Sequence, residues 1–352
     1  MNTADTQSKK LLMISTDRRI FEEGSAVRER QVEYAKNWGE VHIVIFGNLK
    51  SQKLNLKAED ALAPNCFAYS TRSRFKLLYP FDAIRLGRFI CKGRGITNIT
   101  CQDSSLTAMV GVALKKEFKL PLEIQIHEDI GSPYYAHRVS NRIRKSLALK
   151  YLPQADYIRV VSNRIKTYLT DMLKISAAKI EVRPIQVNVV WIKNAQITPG
   201  ADLHKKYPQF EKIVLMASRI EKEKNIDAAI QAWPEVVEKI PKAGLVIVGE
   251  GSMSSKLKGQ SAKLKVQGSR SVNESIVFES WADQATLASY YKTADLFLNV
   301  SLFEGYGMTL AEAQAAGCEI VSTDVGIASE VGAIITAADS GAVAKALIDA
   351  LT

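Results

Sequence analysis

The sequence predicts an α/β protein of two domains, each a parallel sheet with helices on both faces. Three observations carry this reading. Apolar runs such as Lys10 to Ser15, Val41 to Phe46 and Leu122 to His127 alternate with helical stretches along the whole chain, the pattern of buried parallel strands. At 352 residues the chain is long enough for two cores. The alternation is interrupted near 190–212, by Asn194 to Gly200 and by Tyr207-Pro208-Gln209, so the expected domains are 1–195 and 196–352.

The elements follow in order. Lys10 to Thr16 reads as the first buried strand. Glu22-Glu23-Gly24-Ser25 is a glycine turn before a helix from Ala26 to Asn37. Val41 to Phe46 is the second strand, and a later one, Leu122 to Ile126, ends in His127. Taken alone, Gly24 reads equally as a plain turn and His127 as a structural histidine. In the second half, Ile213 to Ala217 is a strand running into Arg219, and Lys224 follows just before a helix. Gly244 to Val248 is a strand ending in the turn Gly249-Glu250-Gly251. Ile276 to Glu279 leads to Trp281, and Asp295 to Ser301 leads to Glu304. Two carboxylates, Glu304 and Glu312, stand eight residues apart with Gly305 and Gly307 between them. Leu310, Ala311, Ala313, Ala315 and Ala316 favour a helix, with Gly317 as its C-cap. The helix should open near Gly307 or Met308, with Glu312 about two turns in.

This arrangement suits a phosphorylated ligand. A glycine-flanked helix N-terminus offers unpaired N–H groups and the positive end of a dipole. Arg219 and Lys224 at a strand end suit a diphosphate. Glu304 could accept hydrogen bonds from sugar hydroxyls and Glu312 could grip a ribose diol. A lysine-rich surface loop and solvated carboxylates are the plain alternative for each motif alone.

Together the motifs resemble a family. The order Arg219…Lys224, Val248-Gly249-Glu250-Gly251, Phe278-x-x-Trp281, Ala294-Asp295-Leu296-Phe297-Leu298-x-x-Ser301, Glu304-Gly305-Tyr306-Gly307…Glu312 and Gly317 looks like the retaining family-4 glycosyltransferases of GT-B fold. The resemblance implies two Rossmann-like domains facing across a cleft. It implies a sugar-nucleotide donor, UDP- or GDP-linked, with no cofactor and no metal ion. It assigns the diphosphate to Arg219 and Lys224, the donor sugar to Glu304 and His127, and the ribose to Glu312. Gly24, Gly249, Trp281, Met308 and Thr309 are the further donor-binding candidates. The expected reaction is transfer with retention to a glycan or lipid-linked acceptor hydroxyl in cell-surface polysaccharide or glycoconjugate synthesis. A non-catalytic sugar-nucleotide or glycan-binding partner in an assembly complex is the alternative. The chain departs from the family at Pro184-Ile185-Gln186-Val187-Asn188, where Pro-Asn-Gly-Val-Asp is common, and at Ser280, where Gly is common. It also stops at Thr352, where many relatives continue into a helix returning to the first domain; a fragment or a short form of the family is expected.

Charge divides unevenly. Residues 1–195 carry 32 Lys and Arg against 18 Asp and Glu, a net +14, while residues 196–352 carry a net −4. Arg72 to Arg94 interleaves bases with aromatics, and His137 to Lys150 reads as a basic amphipathic helix. Such faces attract anionic headgroups or phosphorylated lipid-linked acceptors. No nucleic-acid motif accompanies them. Cys66, Cys91, Cys101 and Cys318 have no metal-ligand spacing and read as reduced thiols of a cytosolic protein. The polar start from Met1 to Lys10 is no signal peptide, and no segment reaches ~20 apolar residues. The expected location is the cytoplasm, at the inner face of the plasma membrane if the basic half docks there.

Overall fold

The computed structural model describes residues 9–47, 59–264 and 272–352. Of the polar start, only Lys9 and Lys10 fall among the described residues. The chain divides into two compact units, Met1–Arg183 and Pro184–Thr352.

The first unit runs β1 (Lys10–Ser15), α1 (Ala26–Ala35), β2 (Glu40–Ile45), β3 (Glu59–Ala63), β4 (Cys66–Ser70), α2 (Tyr79–Arg94), β5 (Asn98–Cys101), α3 (Leu106–Phe118), β6 (Leu122–Ile126), α4 (Val139–Tyr151), β7 (Tyr157–Val160), α5 (Asn163–Asp171) and β8 (Ile180–Val182). Its sheet order is β3-β4-β2-β1-β5-β6-β7-β8. Among the described residues of this unit only β3 is antiparallel to its neighbour. The strands are apolar because both faces are covered: Leu11 and Ile43 on one face and Leu12 and Val44 on the other are at most 2 % exposed. Local signals fix the helix ends. The Ser25 hydroxyl accepts from the Arg28 amide to start α1, and Gly95, at φ +66°, ends α2. The chain steps from β1 to β2 on one side, while β5 lies on the other, so the strand order reverses between β1 and β5.

The second unit runs α6 (Val189–Asn194), α7 (Leu203–Lys206), β9 (Lys212–Ala217), α8 (Ile226–Lys239), β10 (Ala243–Val248), α9 (Ser254–Ser261), β11 (Ile276–Glu279), α10 (Gln284–Thr293), β12 (Leu296–Asn299), α11 (Met308–Ala316), β13 (Glu319–Thr323), β14 (Ile334–Thr336) and α12 (Ser340–Leu351). Its sheet is wholly parallel, in the order β11-β10-β9-β12-β13-β14. One core layer, around Trp233, Val236, Leu245 and Leu347, joins the sheet to α8 and α12. The other, around Tyr290, Tyr291, Leu310 and Ala313, joins it to α10 and α11.

The division between Arg183 and Pro184 precedes the 195/196 boundary read from the sequence. Contacts of the intervening segment explain the difference. α6 packs on α11, and Lys292 Nζ donates to Lys193 O at 2.9 Å. The loop that interrupts the apolar pattern is therefore anchored to the second unit and does not mark its start.

Candidate functional site

In the second unit the strand order reverses between β9 and β12. β9 feeds α8 toward β10, and β12 feeds α11 toward β13, so the two helices cover opposite faces. A crevice outside the strands' carboxyl ends follows from that topology, and ligands of open α/β sheets bind there. The sequence motifs fall at that edge: Arg219 and Lys224 after β9, Gly249 after β10, Trp281 after β11, Ser301 and Glu304 after β12.

Lys224 and Glu304 meet directly across the switch point, Nζ against Oε1. Their side chains are only 15 % and 16 % exposed. Lys224 ends a 3-10 turn, Lys222–Lys224, and the next residue, Asn225, takes the left-handed φ of +51° that lets α8 begin. Arg219, 62 % exposed, reaches Glu223 at 3.5 Å, and the Leu302 amide donates to Glu223 O at 2.8 Å. The two loops flanking the crevice are thus tied by main chain and side chain together.

Behind Glu304, Ser301 of the sequence motif opens a polar chain whose other members, Asn299, Ser322 and Thr323, the motifs did not assign. The Ser301 hydroxyl is 2.8 Å from Glu304 Oε1 and 2.7 Å from Asn299 Oδ1. Asn299 Nδ2 donates to Ser322 Oγ at 3.1 Å, and Thr323 Oγ1 donates to Ser301 O at 2.7 Å. Ser301 is 1 % exposed and Ser322 fully buried. A buried polar group needs such partners. Their signal in the sequence is faint: Asn299, Ser301 and Ser322 are polar positions in otherwise apolar strand ends.

Three glycines shape the loops around that pair. Gly307, at φ +89°, is the N-cap of α11 and brings no side-chain cap. Met308 and Thr309 N–H donate to no protein acceptor among the described residues, which leaves them for an anion. Gly326, after β13, was not singled out from the sequence. A Cβ there would lie 2.2 Å from Tyr306 O and 3.2 Å from Glu304 Cβ, so only glycine allows that loop to back the Glu304 segment. Gly249 has a similar part on the other side: at φ +134°, its Cβ would lie 2.0 Å from Ser218 O.

Glu312 is half-buried in α11; the helix opens at Met308 as expected, but at 3.6 residues per turn Glu312 lies a little over one turn in and not two. Burial raises its carboxyl above the ordinary range, opposed by the Tyr291 hydroxyl, which donates to Oε2 at 3.0 Å. Trp281 is 56 % exposed. The strand end before it is fixed by Glu279, which accepts from Lys206 Nζ at 2.7 Å and Tyr290 OH at 2.6 Å. β11 is two strands from β9, so Trp281 leaves the sheet ~10 Å from the Lys224 loop.

Gly24 and His127 belong to the first unit. Gly24 takes a left-handed φ of +72° in the turn before α1. His127 follows β6 with one side open to solvent and Nε2 3.3 Å from Gln125 Oε1. Desolvation by the surrounding strand ends, then the Arg159 cation, hold its imidazole down to about 4. The direction is what matters: the ring is neutral at pH 7.

Residues 211–352 match the family model described as Glycosyl transferases group 1. Alpha-monoglucosyldiacylglycerol synthase of Streptococcus pneumoniae is 28 % identical over 263 residues, which is 69 % of this chain and 57 % of that protein. Phosphatidyl-myo-inositol mannosyltransferase of Mycobacterium leprae is 31 % identical over 173 residues, 47 % of this chain and 42 % of that one. The chain therefore spans about half the length of these curated relatives. Among solved structures, sucrose-phosphate synthase from Thermosynechococcus elongatus superposes with a TM-score of 0.73 at 18 % identity, over 98 % of this chain and 90 % of that one. HepE of Anabaena, solved with UDP and glucose, gives 0.67 at 14 % identity, covering 97 % and 90 %. The fold is GT-B, built of two Rossmann-like units. Residues 211–352 thus resemble a glycosyl transferases group 1 domain, and the relatives compared above are glycosyltransferases in the case of the mannosyltransferase and a glycolipid synthase in the other.

Proposed function

We propose that the protein is a retaining, metal-independent glycosyltransferase that moves a sugar from a nucleoside diphosphate to a glycan or lipid-linked acceptor hydroxyl. The observation that carries this is the Lys224–Glu304 pair beside the open N-terminus of α11 at the switch point. A diphosphate there meets the Lys224 and Arg219 cations and the Met308 and Thr309 amides, which stabilise negative charge growing on the leaving group. Glu304 orients the sugar, Glu312 takes the ribose diol, and Gly249 and Trp281 bound the nucleoside. In the family mechanism the leaving diphosphate helps deprotonate the incoming hydroxyl on the same face of the sugar, so no protein nucleophile is needed.

Two relatives are named for lipids, one as a synthase of monoglucosyldiacylglycerol and one as a mannosyltransferase of phosphatidyl-myo-inositol, which supports a lipid-linked acceptor here, with work at the inner face of the plasma membrane as part of the same reading. Among the described residues no helix is long and apolar enough to cross a membrane, so that work would be peripheral. The deciding experiment is thermal-shift screening against UDP-, GDP- and ADP-sugars, followed by turnover with the stabilising donor in excess EDTA. A ligand bound only by the native state raises stability by mass action. Stabilisation by one donor and turnover in chelator are expected. Binding without turnover on any glycan or lipid acceptor would favour the non-catalytic alternative. Turnover lost in EDTA and restored by magnesium would reject the metal-independent reading.

A further inference from the structure

Several of the most solvent-exposed apolar side chains lie outside the donor site, around the start of α2. A 3-10 turn, Lys76–Leu78, leads into that helix. Phe75 is 63 % exposed, Leu77 87 %, Leu78 47 % and Phe81 64 %. Phe75 caps the 3-10 turn and Leu78 caps α2, and neither makes a side-chain cap bond. Ser, Thr, Asp or Asn at such positions would satisfy a free amide. The chain forgoes those bonds and holds large apolar groups in water instead.

The cations are interleaved. Phe81, Arg85, Arg88, Phe89 and Lys92 recur at helical spacing and form one exposed stripe of α2. Its opposite face is buried: a Cβ on Gly87 would lie 2.6 Å from Leu114 of α3. Arg85 bonds Asp82, and Arg88 bonds Glu117. Arg74, Lys76 and Lys92 pair with no carboxylate among the described residues. α4 repeats the pattern, with Val139 68 % and Ile143 58 % exposed beside Arg142. Arg138 is its N-cap and its first turn holds no acid, although cations are disfavoured at the positive end of a helix. α2 and α4 both pack on α3, so the two stripes lie in one helical layer.

We propose that the outer surface of this layer, led by Phe75 to Phe81, is a bilayer-docking face whose partner is an anionic phospholipid membrane. Cations alternating with single large apolar groups fit a headgroup region over acyl chains. A protein partner would instead call for an apolar centre depleted of charge, and a nucleic acid offers Leu77 nothing apolar to enter. The start of each helix lies at the carboxyl edge of the sheet, the edge that carries Gly24 and His127. The link to a lipid-linked acceptor rests on the glycosyl-transfer reading; docking itself does not.

The test is co-sedimentation of the full chain with phosphatidylcholine vesicles and with vesicles mixing phosphatidylcholine and phosphatidylglycerol, at low and high salt. Binding to the anionic vesicles only, weakened by salt, is expected. Each cation neutralised in Arg74→Gln and Lys76→Gln should lower partitioning roughly fivefold, and Leu77→Ser with Phe81→Ser should abolish it. Lys205→Gln and Lys256→Gln, exposed in the second unit, should change nothing. Leu77→Trp should shift its emission to the blue with anionic vesicles. All variants should keep the thermal shift given by the nucleotide-sugar, which separates loss of docking from failure of the donor-site reading. Equal binding to both vesicle types, no binding, or equal loss in the second-unit variants would overturn the proposal. So would self-association without lipid that Leu77→Ser relieves, which would give the face to a second copy.

Discussion

Replacing Lys224 by alanine separates a structural ion pair from a catalytic one. In the free protein Lys224 pairs with Glu304, both side chains being about six-sevenths buried at 15 % and 16 % exposure. Removing one partner of a fully buried pair costs ~3–5 kcal/mol, chiefly by stranding the other charge. Here the remaining exposure and the Ser301 hydroxyl both ease Glu304, so about 2 kcal/mol of stability should be lost. The effect on turnover should be larger. A cation aimed at charge that develops on a leaving phosphate is worth on the order of 10²–10³ in rate, about 2.7–4 kcal/mol. The double variant Lys224→Ala with Glu304→Gln tests the division. It strands no charge, so urea unfolding should show recovery of much of the lost stability, a coupling of ~1–3 kcal/mol. Single-turnover transfer from the identified donor should stay as low as in the single variant or fall further. Normal turnover in Lys224→Ala, or restored turnover in the double variant, would sink the assignment of Lys224 to the leaving group.

Other consequences follow from the same geometry. Glu312 has its folded carboxyl raised above the unfolded one by burial, so it stabilises the fold while protonated and that contribution is lost as pH rises through the raised value. Glu312→Gln should therefore unfold at higher temperature than the parent at pH 7, with the gain vanishing below the ordinary carboxylate range, while donor affinity falls; an unchanged melting difference across pH would refute the burial argument. His127, held to about 4, should show no imidazole titration near its usual 6.5 by NMR, and a titration there would mean that the ring is charged in mildly acidic solution. Gly326→Ala should both destabilise the protein and weaken donor binding, since its Cβ would lie 2.2 Å from Tyr306 O and φ is already +53°. Wild-type melting and binding in that variant would show that the Glu304 loop does not depend on this backing.

The sequence made some of this legible and hid the rest for physical reasons. Strands buried on both faces write themselves as continuous apolar runs, so β1, β2, β9 and β12 could be read within a residue or two. Helix α11 was readable because alanines favour it and Gly317 closes it, and it opens at Met308 as expected; at 3.6 residues per turn that start leaves Glu312 only a little over one turn in. The boundary was misplaced because a loop's composition says nothing about which core it packs against, and Lys292 holds residues 193–195 to the second unit. The Lys224–Glu304 contact joins positions eighty residues apart, and no local pattern announces such a pairing; the ordered set of motifs assigned both residues to one donor but not to each other. Asn299 and Ser322, the partners that tie Ser301 to the sheet, were hidden for a further reason. A polar residue in a buried strand looks like a blemish in an apolar run until its partner on the next strand is known.

That last group also explains why the site can be stiff without a ligand. Glu304 stands in a loop, and a loop carboxylate left to itself would sample several rotamers in water. Here Oε1 is taken by Lys224 and Ser301, and Ser301 is in turn fixed through Asn299 and Thr323 to the ends of β12 and β13. Glu304 Oε2 makes no bond to protein among the described residues. One oxygen is therefore anchored to the sheet and the other is free for a hydroxyl of the ligand. Holding the acceptor in place before the sugar arrives removes an ordering cost that would otherwise be set against binding. The sheet edge, through two serines, an asparagine and a threonine, thus carries the rigidity of the parallel core out to the loop where the donor would bind.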